Sequence, residues 1–239
     1  MSITPYSDTA SKREQVEHMF DSISPKYDLL NRVLSMGVDQ SWRRATIASV
    51  AAEPVAHLLD VATGTADMAI MAARRNAAQR ITGVDISAGM LDFGRKKVTD
   101  AGLTDRITLQ QADSEALPFA DGTFDAATVA FGARNFEHLA KGLAEMQRVL
   151  RPGGRIFVLE FSQARGLLRP LFRFYFHHVM PAIGKLVSKD SAAYTYLPKS
   201  VDAFPDGDAF LNVMREVGFK EAAAKRFTGG IATLYSGRK

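Results

Sequence analysis

Apolar and polar residues follow two different rhythms along the chain. From about residue 55, short apolar runs typical of buried strands are separated by longer stretches in which apolar residues recur every three or four positions, as on one face of a helix. The strand-like runs lie at 57–63, 81–87, 107–113, 124–131 and 155–161. Strands that alternate with helices predict an α/β fold, in which right-handed crossovers build a mostly parallel sheet with helices on both faces.

The two ends of the chain depart from this alternation. Three helical stretches precede the first strand, at 11–23, 29–37 and 42–51. Near the end, a helical stretch at 208–218 is followed by two strand-like runs, at 219–227 and 230–239. The last two runs predict a closing hairpin.

The domain organisation follows from the absence of a long or polar linker along the 239 residues. We therefore predict a single domain with three parts. These are a helical cap at 1–50, a core formed by 51–162 and 206–239, and an inserted segment at 163–205.

The inserted segment carries the whole charge excess of the protein. It holds six of the 30 basic residues but only two of the 26 acidic ones, which leaves the rest of the chain balanced. The basic residues are Arg165, Arg169, Arg173, Lys185, Lys189 and Lys199. Apolar and aromatic residues recur at helical spacing between 167 and 189, as in a helix that lies in a membrane surface. A dimer face and a lid on the core are the alternatives.

The absence of cysteine narrows the chemistry. Without Cys the chain has no disulfide, no thiolate metal ligand and no cysteine nucleophile, and we expect no metal site. No apolar run reaches the roughly 20 residues of a membrane-spanning helix, and the first residues lack the apolar core of a signal peptide. These features favour a cytoplasmic protein, with peripheral contact at the inner face of the membrane as a further expectation.

Acidic and small residues follow the first two strand-like runs. Asp60 and Gly64 lie at the turn after the first run, and Asp85 ends the second. Ligands of open α/β sheets bind at such strand ends. A single glycine flanked by acids lacks the three glycines of a dinucleotide fingerprint, and the acids would repel a pyrophosphate. They suit a cation or amine, such as the sulfonium and α-amino groups of S-adenosylmethionine, whereas a plain strand–helix turn is the alternative.

Three further positions extend this pattern. Asp85 can accept hydrogen bonds from both hydroxyls of a ribose, because Ser87 is the better cap for the helix that follows. After the third run, Asp113 and Ser114 offer an acceptor for an adenine amino group, with a solvated turn as the alternative. A Leu-Arg-Pro-Gly-Gly turn at 150–154 precedes the fifth run.

Four motifs thus follow one another along the chain: the turn at 60–64, Asp85, the pair Asp113 and Ser114, and the turn at 150–154. In this order, they resemble those of the class I S-adenosylmethionine-dependent methyltransferases. The resemblance covers about residues 55–161 and the closing hairpin. It implies a Rossmann-like sheet of seven strands, mostly parallel with an antiparallel last strand, and S-adenosylmethionine as the cofactor.

A narrower resemblance covers nearly the whole chain and is to the ubiquinone/menaquinone biosynthesis C-methyltransferases, of which demethylmenaquinone methyltransferases are one type. Its motifs lie at 20–28, 31–42, 59–65, 131–135, 159–162, 194–205 and 227–231. The run Y-T-Y-L-P-K-S-V-D-A-F-P at 194–205 is the most specific of them.

The resemblance carries over Thr63, Asp85, Asp113 and Ser114 as cofactor contacts. Ser114 stands where the family often has Ala, and Ala130 stands where some members have Ser, but both positions can contribute through backbone atoms. Together with the turn after the first strand, the predicted cofactor-binding residues are Asp60, Thr63, Gly64, Asp85, Asp113, Ser114 and Ala130.

The resemblance also implies the reaction, which is methylation of a ring carbon of a polyprenyl quinol. Demethylmenaquinol is the foremost acceptor, and a benzoquinol is not distinguished from it. Arg134 and Asn135 follow the fourth run, and Tyr27 of the cap reaches the same pocket, so we predict these three as catalytic. His138 is an alternative general base, although a surface position is the favoured interpretation.

Three other functions stay open at this point. A methyltransferase for a sterol, a lipid head group or another small molecule keeps the cofactor, but the run at 194–205 argues against it. A nucleic-acid-binding protein needs denser Lys and Arg, and a nicotinamide dehydrogenase needs more glycines. The expected partners are the quinol and a transient membrane surface, without nucleic acid, and a second copy or other quinone-biosynthesis enzymes are further candidates.

Overall fold

One sheet of seven strands organises the protein. The computed structural model describes residues 3–6, 9–164, 169–179 and 191–239. The strands are β1 (His57–Val61), β2 (Arg80–Asp85), β3 (Ile107–Gln111), β4 (Phe124–Ala130), β5 (Leu150–Phe161), β6 (Lys220–Phe227) and β7 (Ala232–Arg238). They lie in the order β3–β2–β1–β4–β5–β7–β6.

The strand directions confirm the predicted topology. Strands β1 to β5 pair parallel with one another, whereas β7 pairs antiparallel with both β5 and β6. The strand order reverses between β1 and β4, because the chain first builds outward to β3 and then returns to the other side of β1. Open α/β sheets bind ligands at such a switch point, beyond the carboxyl ends of the strands.

Helices precede, connect and follow the strands. They are α1 (Lys12–Ile23), α2 (Tyr27–Leu34), α3 (Asp39–Val50), α4 (Asp67–Arg74), α5 (Ala88–Asp100), α6 (Leu139–Val149), α7 (Arg169–Phe174), α8 (Ser191–Ala203) and α9 (Asp208–Glu216). A 3₁₀ turn at Ala133–Asn135 follows β4, and a π-helical turn at Tyr175–Val179 continues α7. Within the described ranges, no helix combines the length and apolar character needed to cross a bilayer.

Apolar side chains fill both faces of the sheet. On one face, α6 and α9 bury residues such as Leu143 and Phe210 against the strands. On the other face, α3 and α4 bury residues such as Ile47 and Ala69. Strands β1 and β4 are buried on both sides, which explains why their sequences are nearly continuous apolar runs instead of alternating patterns.

Strand β5 begins earlier than the sequence predicts. Residues 150–154 have the pattern of a turn, yet β5 starts at Leu150, which pairs with Phe124 of β4. The N–H of Gly153 donates to the carbonyl of Lys239, and the N–H of Lys239 donates to that of Gly154. Pairing with the end of the chain therefore extends β5 through the turn.

Helix α1 lies across the carboxyl ends of β3 and β4. The Lys12 ammonium donates to the carbonyls of Arg134 and Phe136, at 3.1 and 2.8 Å, in the turn after β4. Arg13 forms an ion pair of 3.2 Å with Asp113, just after β3. Two neighbouring cations of α1 thus fix the helix to two separate strand ends.

Two carboxylates of the same helical region reach the ends of β1 and β2. Asp21 accepts hydrogen bonds from the hydroxyl of Ser87 at 2.5 Å and from the N–H of Gly89 at 3.0 Å, after β2. Asp28 accepts one from the hydroxyl of Thr65 at 2.6 Å, in the loop after β1. The helices that precede the sheet are therefore bound to the ends of β1, β2, β3 and β4.

Helices α7 and α8 pack onto α1, in a cluster of buried side chains that includes Met19, Phe176 and Tyr196. Phe176 is only 3% exposed, whereas Phe174 is 59% exposed. Some aromatic residues of the segment thus pack against α1, as in a lid, and others face outward. Of the basic residues noted above, Arg165, Lys185 and Lys189 lie outside the described residues, as do the side chains of Arg169 and Arg173.

The loops after β1 and β4 approach each other at a point where a side chain does not fit. Gly132 follows β4, and a Cβ at this position would lie 2.5 Å from the Cβ of Ala62, in the loop after β1. A Cβ moves only with its backbone, so neither loop can yield without a shift of the main chain. Glycine at position 132 therefore sets the spacing of the two loops.

We predict that Gly132→Ala lowers the free energy of unfolding by about 1–3 kcal/mol, because the added methyl overpacks this contact. Urea denaturation followed by circular dichroism measures the change. Gly237→Ala is the matched control with a smaller expected loss, since its methyl would meet the end of Met214 at 3.1 Å, the Cβ of Phe219 at 3.3 Å and the carbonyl of Lys220 at 3.4 Å, all longer than the 2.5 Å contact at Gly132. Equal losses in the two variants would contradict the prediction.

Candidate active site

A cleft of about 730 Å³ lies at the carboxyl ends of the central strands, beside α1. It is lined by seven residues predicted from the sequence, Tyr27, Gly64, Asp85, Asp113, Ser114, Ala130 and Asn135. Asp60, Thr63 and Arg134 are not part of its lining. The fold thus brings most of the predicted residues, from four different strand ends, into one cleft.

The loop after β1 presents its backbone to the cleft. Ala62, Gly64 and Ala66 hold left-handed conformations, with φ of 51°, 56° and 66°. A Cβ on Gly64 would meet no protein atom within 4 Å, so the glycine leaves open space beside the loop. The N–H of Thr63 donates to the carbonyl of Val84 at 2.9 Å, which ties the loop to β2.

Asp60 stands behind this loop. Its carboxylate accepts hydrogen bonds from the hydroxyls of Thr63 at 2.6 Å and Thr128 at 2.7 Å. Burial raises the pKa of Asp60, and these two hydroxyls oppose the shift. The structure therefore places Asp60 and Thr63 behind the cleft wall, where they hold the loop that carries Gly64.

Asp85 ends β2 inside the cleft. One carboxylate oxygen accepts from the N–H of Gly64 at 2.8 Å, and the other accepts from the N–H of Ser87 at 2.9 Å. Burial raises the pKa of Asp85 to about 6, the two N–H donors oppose the shift, and the charge of Asp60 adds to it. A carboxylate offers about four acceptor positions, so Asp85 keeps acceptor capacity for a ligand hydroxyl. Ser87 caps α5, as predicted.

Asp113 and Ser114 form the cleft wall after β3. One Asp113 oxygen accepts from the N–H of Glu115 at 2.8 Å, and the other faces Arg13. Arg13 also lines the cleft. A cation of α1 therefore occupies one oxygen of Asp113, the residue that the sequence predicts as an acceptor for an adenine amino group. His138 pairs with Glu115, its side chain is 68% exposed and it lines neither this cleft nor the cavity described next, in agreement with a surface position.

A second, larger cavity adjoins the cleft. It measures about 1230 Å³ and is walled mainly by aromatic and aliphatic side chains, and 75%-exposed Met36 marks its opening. Phe20, Tyr27, Phe131 and Asn135 belong to the walls of both cavities. Two ligands, one in each cavity, would therefore meet at these four residues.

Aromatic rings form one wall of the second cavity. The ring centroids of Phe131 and Phe161 lie 4.6 Å apart, and Trp42 lies 6.3 Å from each. The Trp42 indole N–H donates to the hydroxyl of Thr228 at 2.9 Å. From the sequence, Trp42 has the pattern of a core residue without a role. These rings come from α3, the turn after β4 and the end of β5, so no spacing in the sequence connects them.

Arg134 lines the second cavity from the 3₁₀ turn after β4. Its guanidinium donates to Glu160 at 2.8 Å and to the carbonyl of Phe131. Glu160 is fully buried and also accepts from the N–H of Phe161 at 2.8 Å. The sequence does not identify Glu160, although an acid within the apolar run of β5 is a signal for a buried partner.

The cleft fits a nucleoside-like cofactor without phosphates. Asp85 keeps acceptor positions for ribose hydroxyls, and the lining holds four carboxyl groups, Asp85, Asp113, Glu115 and Glu137, but only the cation of Arg13 among its described residues. A pyrophosphate would meet this negative charge, whereas a ligand with a sulfonium and an amine is attracted to it. The donor and acceptor groups thus match S-adenosylmethionine.

The fold and the cleft together define a class I S-adenosylmethionine-dependent methyltransferase. A solved structure from Thermotoga maritima, described as an S-adenosylmethionine-dependent methyltransferase and possible histamine N-methyltransferase, shares the fold with a TM-score of 0.67. The two sequences are 18% identical, and the match covers 93% of this chain and 99% of that one.

The particular family follows from the sequence comparisons, in which the model of the ubiE/COQ5 methyltransferase family matches residues 8–239. The demethylmenaquinone methyltransferase of Bacteroides fragilis is 48% identical over 238 residues, which cover 99% of this chain and 97% of that protein. The ubiquinone/menaquinone biosynthesis C-methyltransferase UbiE of Geotalea daltonii is 49% identical over 230 residues, or 95% and 97% of the two chains. The chain belongs to the ubiE/COQ5 methyltransferase family, as its motifs predict.

We predict that the affinity for S-adenosylmethionine falls as the pH drops below about 6. Ribose hydroxyls donate to a carboxylate, so the bound cofactor favours the ionised form of Asp85, and protonation near its raised pKa of about 6 competes with binding. The Kd should be constant above pH 7 and rise by up to about tenfold per pH unit below 6. Calorimetric titration from pH 5 to 8 measures it.

Two variants test the assignment of this effect to Asp85. Asp85→Asn should weaken binding at pH 7 by about 1–3 kcal/mol, because buried polar groups lose their partner, and should remove most of the pH dependence. Asp92→Asn, on the exposed face of α5, should leave both unchanged. A wild-type Kd that stays flat from pH 5 to 8 would refute this assignment.

Proposed function

We propose that this methyltransferase transfers the methyl group of S-adenosylmethionine to a ring carbon of a polyprenyl quinol, with demethylmenaquinol as the preferred acceptor. The observation that carries the proposal is the apolar cavity of about 1230 Å³ that adjoins the cofactor cleft and is lined by the buried guanidinium of Arg134. The relatives named for demethylmenaquinone and for ubiquinone/menaquinone biosynthesis support this class of acceptor.

The acceptor ring has to be in its reduced form. When bound, S-adenosylmethionine supplies an electrophilic methyl group on its sulfonium. A quinol that loses a hydroxyl proton carries negative charge on the neighbouring ring carbon, whereas a quinone carbon is itself electrophilic. The protein therefore has two tasks, to hold the ring in line with the methyl group and to stabilise a phenolate.

Arg134 performs the second task in this proposal. A guanidinium is protonated at any working pH, and its ion pair with Glu160 at 2.8 Å fixes its orientation and compensates for its burial. Asn135 and Tyr27 line both cavities, at the point where methyl donor and ring would meet. We assign them the task of orienting the ring hydroxyl and the ring.

The predicted cofactor-binding residues fall into two groups, those that contact the cofactor and those that hold the contacting loop in place. We assign the cofactor contacts to the cleft-lining residues Gly64, Asp85, Asp113, Ser114 and Ala130. Asp60 and Thr63 act through the loop that they hold in place. The apolar walls of the second cavity disfavour water beside the acceptor ring.

We also propose peripheral contact with a membrane, because the apolar tail of a polyprenyl quinol belongs in a bilayer. Met36 at the opening of the second cavity and Phe174 on α7 expose large apolar side chains. Phe172 and Tyr175, on either side of Phe174, line the cavity. The basic residues of segment 163–205 add attraction to anionic lipids. A homodimer and an assembly with other quinone-biosynthesis enzymes stay predictions.

The purified enzyme tests the proposed function directly. Incubated with S-adenosylmethionine and a reduced short-chain demethylmenaquinol, it should yield a product heavier by one methylene unit in mass spectrometry, and the oxidised quinone should yield none. A deletion strain should accumulate the quinone that lacks the methyl group. Transfer to a benzoquinol alone would redefine the acceptor, and transfer to neither ring would refute the proposal.

We predict that Arg134→Ala lowers the single-turnover rate of methyl transfer about 10²- to 10³-fold, because the phenolate charge that Arg134 stabilises develops mainly in the transition state. The Kd for S-adenosylmethionine should change less than about threefold. Since this variant leaves buried Glu160 unpaired, the pair Glu160→Gln and Arg134→Ala/Glu160→Gln repeats the comparison without that charge. A normal rate with collapsed cofactor binding would make Arg134 a binding residue.

We predict that the protein cosediments with anionic vesicles at low salt and is partly released at high salt. Each basic residue near the surface contributes about 1 kcal/mol before screening, so Arg169→Glu/Arg173→Glu should weaken binding and leave the affinity for S-adenosylmethionine intact. The salt-resistant fraction depends on exposed aromatic residues, for which the sequence suggests Phe172, Phe174 and Phe176.

Of these three aromatic residues, Phe176 is buried and Phe174 is exposed, so Phe174 is the one that can insert into a membrane surface. Phe174→Ser should therefore reduce the salt-resistant fraction. Surface variant Phe93→Ser, on α5, is the matched control with no expected effect. A wild-type protein that ignores anionic vesicles at every salt concentration would leave α7 and α8 as a lid or a dimer face.

A further inference from the structure

Three polar atoms of the second cavity's lining residues lack a hydrogen-bond partner in the described part of the protein. They are Nε of Arg134, Oδ1 of Asn135 and the hydroxyl oxygen of Tyr196. All three atoms are shielded from solvent. A buried polar atom without a partner destabilises the folded state and is rare in native proteins. Three of them around one cavity point to a ligand that supplies the missing partners.

These atoms are complementary to one hydroxyl group. The Nε–H of Arg134 and the hydroxyl of Tyr196 can donate, and Oδ1 of Asn135 accepts. A quinol hydroxyl donates one hydrogen bond and accepts two, so its hydrogen-bonding capacity matches the two donors and the one acceptor. After loss of its proton, the phenolate oxygen still accepts from both donors, whereas an apolar tail satisfies none of them.

We propose that Tyr196 is a substrate-contacting residue whose hydroxyl donates a hydrogen bond to the quinol oxygen beside the carbon that is methylated. This inference rests on the proposed function, because it places a quinol in the second cavity. Tyr196 lies on α8, and its side chain packs in the buried cluster with residues of α1 and α7. Helix α8 would thus bring a polar group to the substrate that neither the sheet nor the strand-end loops supply.

The protonation state of Tyr196 suits a donor. Burial raises its pKa to about 12, with Arg134 opposing the shift and Glu160 adding to it. The other titratable or charged groups that line the same cavity are Tyr27, Asp39, Arg43 and Tyr175. Since Tyr196 stays protonated at neutral pH, it stabilises the phenolate by donation and does not act as a general base.

The variant Tyr196→Phe removes only the unpartnered oxygen. We expect the rate of single-turnover methyl transfer to a reduced short-chain demethylmenaquinol to fall about 10- to 100-fold, as for the loss of a hydrogen bond to a charged oxygen. The Kd for S-adenosylmethionine should not change. The thermal midpoint should stay or rise, because no protein hydrogen bond is lost.

Tyr235→Phe is the matched control. Tyr235 is also buried, but it lies in the core cluster under α9 and lines neither cavity, and its hydroxyl accepts from the N–H of Gly207 at 2.8 Å. We expect the reverse outcome, a lower thermal midpoint with a normal rate of methyl transfer. The two tyrosines thus separate a contact to substrate from a contact within the protein.

The pH profile adds a readout that a structural role would not move. The rate should rise with pH as the bound quinol loses its proton, and Tyr196→Phe should shift the midpoint of this rise upward, because the lost donor no longer stabilises the phenolate. A wild-type rate and midpoint in Tyr196→Phe, or a lower stability with a normal rate, would overturn the inference and leave the proposed function intact. A wild-type protein that binds S-adenosylmethionine but methylates no reduced quinol would instead overturn the proposed function.

Discussion

The architecture of the site depends on the polar contacts that bind the N-terminal helices to the ends of strands β1 to β4. Lys12, Arg13, Asp21 and Asp28 each reach a different strand end. Without these contacts the cleft would lose the wall that α1 provides. The second cavity depends on them as well, because α7 and α8 pack against α1. One layer of charged groups therefore determines the geometry of both cavities.

The two cavities carry charges of opposite sign toward their shared wall. The cleft is lined mainly by carboxyl groups such as Asp85, whereas the second cavity presents the guanidinium of Arg134. A cationic cofactor and an anionic acceptor would each find the complementary sign on its own side. Glu160 keeps the guanidinium oriented and compensates for its burial, which permits a cation inside an apolar wall.

The sequence predicts what is encoded by local pattern and misses what distant segments assemble. Apolar runs locate all strands that build the sheet, and the rule that ligands bind at strand ends brings Asp85 and Asp113 to the cleft. The same rule does not say which acid of a turn faces inward, and Asp60 lies behind the loop and outside the cleft lining. Glu160 reaches Arg134, and Tyr196 reaches the second cavity, only through tertiary packing, so the motifs at 159–162 and 194–205 that contain them do not indicate these contacts.

Ala62, Ala66 and Phe131 hold left-handed backbone conformations around the cleft. Glycine adopts such conformations freely, whereas a residue with a side chain loses about 1–2 kcal/mol in each. The free energy of unfolding of a folded domain is only about 5–15 kcal/mol. These three conformations therefore cost a substantial fraction of it at this one edge of the sheet. Replacing Ala62 or Ala66 with glycine would relieve this strain and raise the free energy of unfolding. The same replacement would loosen the cofactor-binding loop. The exposed outer strand β6 offers substitutions without that penalty.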